Sequence, residues 1–228
     1  MPSPQFSFEA RERLNALWSA VLQHPFVQGI GDGSLARDRY EFYLKQDYLY
    51  LIEYGRILAI AAAKGGDLAE MRRFSELLEL TLNMEMALHR KTCAAFGIDE
   101  GDLERTEPSL VTVAYTSTLL RTCYEGRGGD LYATLLPCAA GYVEIAEHLK
   151  ARGLPENEHY RDWITTYDSA EMKELSGWLT KQMNRFAAQA SDRDRERWFD
   201  LYRTSARFEL LFFQMAWEKS SWPTCVPT

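Results

Sequence analysis

No apolar run in this chain comes near the ~20 residues that a bilayer-spanning helix requires. The stretch from Ile57 to Ala63 stops at Lys64, so a membrane-embedded chain is not expected. Basic charge is also scarce: 26 Lys and Arg stand against 33 Asp and Glu, for a formal net charge of -7 and a pI near 5.2. Proteins hold a phosphate backbone through clustered cations, so nucleic acid is not an expected partner. The first residues, MPSPQFSFEARER, show neither the basic leader nor the apolar segment of a secretory signal, and a cytoplasmic setting is expected. The cysteines Cys93, Cys123, Cys138 and Cys225 lack the C-x-x-C spacing of a zinc site or redox dithiol and read as free thiols in a reducing compartment. Segments of strict apolar alternation, fixed-period repeats and low-complexity tracts are missing too, which removes sheets and solenoids from consideration.

What remains is apolar spacing of three and four residues along nearly the whole length, the mark of amphipathic helices. The 228 residues are enough for one domain with a sizeable core, so the expected architecture is all-α: a single domain over residues 1–228, built as a bundle of about eight helices. The first helix is expected from a cap at Ser7 to a stop at Pro25, with Leu14, Leu17, Trp18, Val21 and Leu22 on its stripe. Others are expected over about 38–63, 67–96, 109–124, 130–152, 159–166, 170–189 and 192–219. Gly65-Gly66, Gly97, the GRGG run and Gly153 mark ends, and Ser191 is a cap candidate. The run GIGDGS at 29–34 has Ser34 where the third glycine of a dinucleotide fingerprint would fall and follows no strand, so it reads as a plain turn.

Three places carry chemistry. In LLPCAAGYVEI, Pro137 interrupts an apolar helical run; it lacks an N–H and is expected to kink the helix beside Cys138. Tyr142 falls four residues on, on the same face. By spacing alone Cys138 reads either as a small buried hydrophobe or as a nucleophile. In RFELLFFQMAW, Glu209 has Phe208, Phe212, Phe213, Ser205, Ala206 and Ala216 as helical neighbours. A carboxyl on such an apolar face loses hydration, which raises its pKa toward that of a proton shuttle, whereas a solvated or paired glutamate is the ordinary alternative. In QDYLYL, Asp47 and Tyr50 share a face suited to an amino-bearing ring, with a surface acid as the alternative. Tyr115 and Tyr167 are further candidates.

Metal chemistry is not expected. The only Glu-x-x-His spacing, Glu156 to His159, follows Pro155 in a loop, and a di-iron bundle needs two such motifs. Glu85 with His89 and Glu144 with His148 are i,i+4 pairs that read as hydrogen-bonded or surface pairs.

Taken in order, HPFVQGIGDGSL, QDYLYL, EMALHR, AYTS, LLPC with Tyr142 and Glu144 after it, WITTY and FELLFFQMAW resemble the TenA (thiaminase II) family from about His24 to Trp222. The resemblance implies a haem-oxygenase-like all-α fold, assembly as a homotetramer, and binding of thiamin or a related aminopyrimidine with no metal and no organic cofactor. It implies Cys138 as nucleophile and Glu209 as acid/base, Asp47 and Tyr50 as residues holding the pyrimidine, and Tyr115, Tyr142 and Tyr167 as pocket tyrosines. The implied activity is hydrolysis of a C–N bond at the pyrimidine methylene. Two other classes stay open: a pyrimidine binder or regulator without turnover, and a haem- or oxygen-dependent oxidase with His24 as axial ligand.

Overall fold

A computed structural model describes residues 5–223, all of its regular structure helical. Cys225 lies outside the described residues. Two compact units are present. The first holds α1 (Phe6–Arg13), α2 (Asn15–Leu22), α3 (Pro25–Asp32), α9 (Gly129–Lys150), α10 (Glu158–Tyr167), α11 (Ala170–Ala187) and α12 (Asp192–Glu218) as far as Phe213. The second holds α4 (Arg37–Lys64), α5 (Leu68–Glu79), a π-helical segment (Leu80–Glu85), α6 (Met86–Ala95), α7 (Glu100–Glu104), α8 (Leu110–Glu125) and the end of α12. No helix among the described residues is long and apolar enough to cross a membrane.

The helices outnumber the eight expected because two long segments are subdivided and because α3 and α7 form where no helix was expected. The segment assigned to one helix before Pro25 is two, broken at Leu14 with φ -108 and ψ 20. Ser7 is not the cap: Gln5 is, and Ser7 lies inside α1, where its N–H donates to Asn184 Oδ1 and its Oγ accepts from Asn184 Nδ2, both at 3.0 Å. Pro25 starts a helix rather than ending one. It occupies the first turn of α3, where a missing N–H costs nothing, and His24 caps that turn by accepting from the Phe26 N–H through Nδ1 at 3.2 Å. The GIGDGS run is therefore helical through Asp32, and only Gly33, at φ 80, makes the turn. The expected 67–96 helix changes to i→i+5 pairing between α5 and α6, leaving Leu80 and Leu82 exposed while Thr81 is buried. Such an insertion of one residue per turn is frequent near functional sites.

Other expectations hold. Ser191 Oγ accepts from the Asp194 N–H at 3.2 Å at the start of α12. Gly97 and Gly153 adopt φ 77 and 107 after α6 and α9, a conformation only glycine takes freely.

Candidate active site

In the first unit, α9 runs unbroken from Gly129 to Lys150 with Pro137 inside it. Cys138 is partly exposed, whereas Cys93 and Cys123 are buried. Burial pushes the thiols of Cys93 and Cys123 up to about 12, so neither forms a thiolate near neutrality. Among the described cysteines, then, a small molecule can reach Cys138. The small residues after it are used for packing: a Cβ on Gly141 would meet the Trp18 ring at 2.5 Å, so this position is filled from α2.

The neighbour of α9 that matters is α12. Near the start of α9, the buried Asp130 accepts from Trp198 Nε1 at 2.9 Å and from Arg197 Nη2 at 2.6 Å. Further along both helices, the Tyr142 ring meets the Phe213 ring at 5.8 Å. Advancing along α9 means advancing along α12, so the two helices run parallel. Cys138 precedes Tyr142 by four residues and Glu209 precedes Phe213 by four; at ~1.5 Å of rise per residue both lie about 6 Å back from the ring contact. Each lies one turn before the ring contact, on the two helices that make it. Glu209 is 2% exposed, and Ser205, Ala206, Phe212, Phe213 and Ala216 are buried with it, the apolar surroundings that its sequence neighbours indicated.

Tyr142 also meets Tyr167 at 4.7 Å and Trp163 at 5.7 Å, and Trp163 meets Tyr167 at 4.7 Å. These rings form a wall beside the Cys138 turn. Phe213 extends it to Phe26 at 5.7 Å and to His24 at 6.4 Å. His24, the candidate axial ligand, is buried and serves as the α3 cap. Glu144 is held by Arg11, which donates to it through Nε at 3.0 Å and Nη2 at 2.6 Å.

In the second unit, Asp47 and Tyr50 lie buried on α4, and Tyr115 is buried on α8. Gln46 fixes these two helices together: its Oε1 accepts from the Ser109 N–H at 2.9 Å and from Thr112 Oγ1 at 2.7 Å, and its Nε2 donates to the Glu107 carbonyl at 3.1 Å. One turn on, Tyr50 meets Tyr115 at 5.3 Å and Tyr54 at 5.9 Å. Next to Asp47 lies His89, whose Nε2 is 3.5 Å from Asp47 Oδ2 and whose Nδ1 is 3.5 Å from Cys93 Sγ. Burial lowers the His89 pKa to about 4, so the ring is neutral at pH 7. In the π-helical segment burial raises the Glu85 carboxyl, an effect its hydrogen bond to Thr81 opposes.

Sequence reasoning paired His89 with Glu85, missing its contact with Asp47, and passed over Gln46 and Trp163. For the last two and for the Cys93 contact the signals were there, since His89 and Cys93 are i,i+4, Trp163 and Tyr167 likewise, and Gln46 adjoins Asp47. Among the described residues no group of three His, Cys, Asp or Glu is arranged to hold a metal ion.

A sequence profile of the TENA/THI-4/PQQC family matches residues 11–219. The chain is 41% identical over 218 residues, 95% of its length and 97% of the other, to a Halalkalibacterium halodurans protein named aminopyrimidine aminohydrolase. Among solved structures it is similar to a TenA homologue from P. horikoshii OT3, with a TM-score of 0.87 and 30% identity, covering 94% of this chain and 99% of that one. A Shewanella denitrificans domain described as having a haem-oxygenase-like fold aligns with a TM-score of 0.65 at 13% identity, covering 93% and 92%, which extends the likeness to that fold alone. With the profile spanning all but the ends and a relative of this identity matched along its length, the chain belongs to the TENA/THI-4/PQQC family.

Proposed function

We propose that this protein is an aminopyrimidine aminohydrolase: a hydrolase that cleaves the C–N bond at the methylene of thiamin or a thiamin-derived aminopyrimidine, leaving the hydroxymethyl compound. The observation that carries the reading is the 41% identical relative of that name, matched over 95% of this chain. What supports it within the chain is a reachable thiol at Cys138 and a buried carboxyl at Glu209 on parallel helices.

The chemistry explains the residue types. A leaving group on the pyrimidine methylene departs slowly because the ring is electron-poor. In the proposed route the Cys138 thiolate adds to the ring while Glu209 delivers a proton to a ring nitrogen, giving an electron-rich enamine. The enamine expels the amine or the thiazole from the methylene. Water adds there, its proton leaving through the carboxylate; the thiolate then departs and the ring nitrogen releases its proton to solvent, restoring the neutral aromatic ring. The balance is aminomethyl-pyrimidine plus water to hydroxymethyl-pyrimidine plus ammonia. Asp47 and Tyr50 are assigned to the amino edge of the pyrimidine, and Tyr115, Tyr142 and Tyr167 to its faces, roles that rest on the family resemblance. Neither a metal nor an organic cofactor enters this route. A single TenA-like domain, a homotetrameric assembly and a cytoplasmic setting belong to the same proposal.

The test is to incubate one preparation with thiamin and, separately, with aminomethyl-aminopyrimidine, and to follow release of the hydroxymethyl-pyrimidine. Turnover of either supports the reading, and the ratio identifies the preferred leaving group. Tight binding of the pyrimidine with no product identifies a binder instead.

A further inference from the structure

In the second unit Cys93 and His89 have no part in the proposed reaction, and their placement beside Asp47 fixes a proton. His89 is buried, and its Nε2 is buried without a hydrogen bond while lying 3.5 Å from Asp47 Oδ2. Its Nδ1 lies 3.5 Å from Cys93 Sγ. A neutral imidazole carries one N–H, and the two arrangements differ sharply here. With the proton on Nδ1, a nitrogen lone pair would face a carboxylate and the N–H would face sulfur, a weak acceptor. With the proton on Nε2, the N–H points at the carboxylate and Nδ1 accepts from the Cys93 S–H. Cys93 is able to donate because its thiol keeps its proton to about pH 12.

We infer that His89 is a positioning residue: held by Cys93 in the Nε2–H form, it aims the Asp47 carboxylate at the amino group of the bound pyrimidine. This deepens the proposed function and rests on the role assigned there to Asp47. A buried N–H without an acceptor is costly, and a shift of a few tenths of an ångström brings Nε2 within hydrogen-bond range of Oδ2. Through that contact His89 restricts the carboxylate to one rotamer before substrate arrives, the kind of support that a neighbouring hydrogen bond gives to a binding group.

The experiment has two readouts. First, long-range proton–nitrogen NMR of the uniformly 15N-labelled full chain, without ligand, assigns the His89 tautomer. The Nε2–H form is expected, with Cys93→Ala populating both forms; an Nδ1–H ring in the wild type overturns the inference. Second, the affinity for hydroxymethyl-aminopyrimidine is compared with that for the analogue lacking the amino group. His89→Asn, which removes the donor at Nε2, should weaken the amino compound about tenfold and the analogue less than about twofold, whereas His89→Gln, which keeps a donor there, should stay within about threefold of wild type. Equal losses for both ligands in His89→Asn would show a structural role only and overturn the inference. Asp47→Asn separates the two levels: if it leaves the preference for the amino compound intact, the assigned role of Asp47 fails, whereas loss of preference in Asp47→Asn but not in His89→Asn removes His89 alone.

Discussion

The ring of Tyr142 on α9 lies against the ring of Phe213 on α12, centroids 5.8 Å apart and planes inclined by 34°, and each ring stands one turn beyond a residue assigned to chemistry. Because Asp130 ties the earlier turns of the same helices through Trp198 and Arg197, the pair is the upper of two fasteners that bracket Cys138 and Glu209. A change at Phe213 should therefore reach the reaction without touching either group. Phe213→Ala should cost about 3–5 kcal/mol in urea denaturation, and the milder Phe213→Leu should lower turnover by about tenfold while keeping most of the stability. Unchanged turnover in the leucine variant would show that the alignment of α9 with α12 does not govern the rate.

Thiol reactivity separates the cysteines. Burial holds Cys93 and Cys123 near 12, so at pH 8 only about one in ten thousand of either is thiolate. Cys138 is partly exposed. In a Cys225→Ser background, iodoacetamide at pH 8 should label Cys138 alone in the native protein and all three after denaturation, as read by peptide mass spectrometry. Native labelling at Cys93 or Cys123 ahead of Cys138 would contradict the burial pattern.

Much of this was legible from the amino acids. Helix after helix follows from three- and four-residue apolar spacing, and the buried surroundings of Glu209 follow from Phe212, Phe213, Ser205 and Ala216 at helical intervals. What the spacing hides is anything that leaves it nearly unchanged. The π-helical turn at Leu80–Glu85 adds a residue within one turn of a continuous helical pattern, and Pro25 has the same composition signal whether it ends a helix or opens one. The His89 to Asp47 contact spans distant residues of the chain, so no local pattern encodes it. Likewise the placement of Cys138 and Glu209 on neighbouring helices depends on which helix lies beside α9 and in which direction, information held by Asp130, Trp198 and the ring pair together.

Acid should destabilise the protein through His89. Its native pKa, about 4, lies below the ordinary 6.5 because burial penalises the imidazolium. Below pH 6.5 the unfolded chain therefore takes up a proton that the native one refuses. Stability from this group is fully present above 6.5 and falls as pH is lowered toward 4, by up to about 3 kcal/mol. Asp47, 3.5 Å from the ring, reduces the loss by favouring the charged form, and Cys93 stays neutral over the whole window. His89→Gln has nothing to titrate there, so urea unfolding from pH 6.5 to 4 should show wild type losing more stability than the variant. Parallel curves would contradict a neutral buried His89.

The central claim is that Cys138 and Glu209 act on one bound aminopyrimidine as a unit, and a double-mutant cycle on turnover of aminomethyl-aminopyrimidine measures it. Glu209→Gln should lower kcat by about 10² to 10⁴ fold, Cys138→Ala by at least as much, and the double variant no further than the worse single one, because groups serving one step are lost together. Near wild-type kcat in either single variant, or losses that multiply in the double, would contradict it.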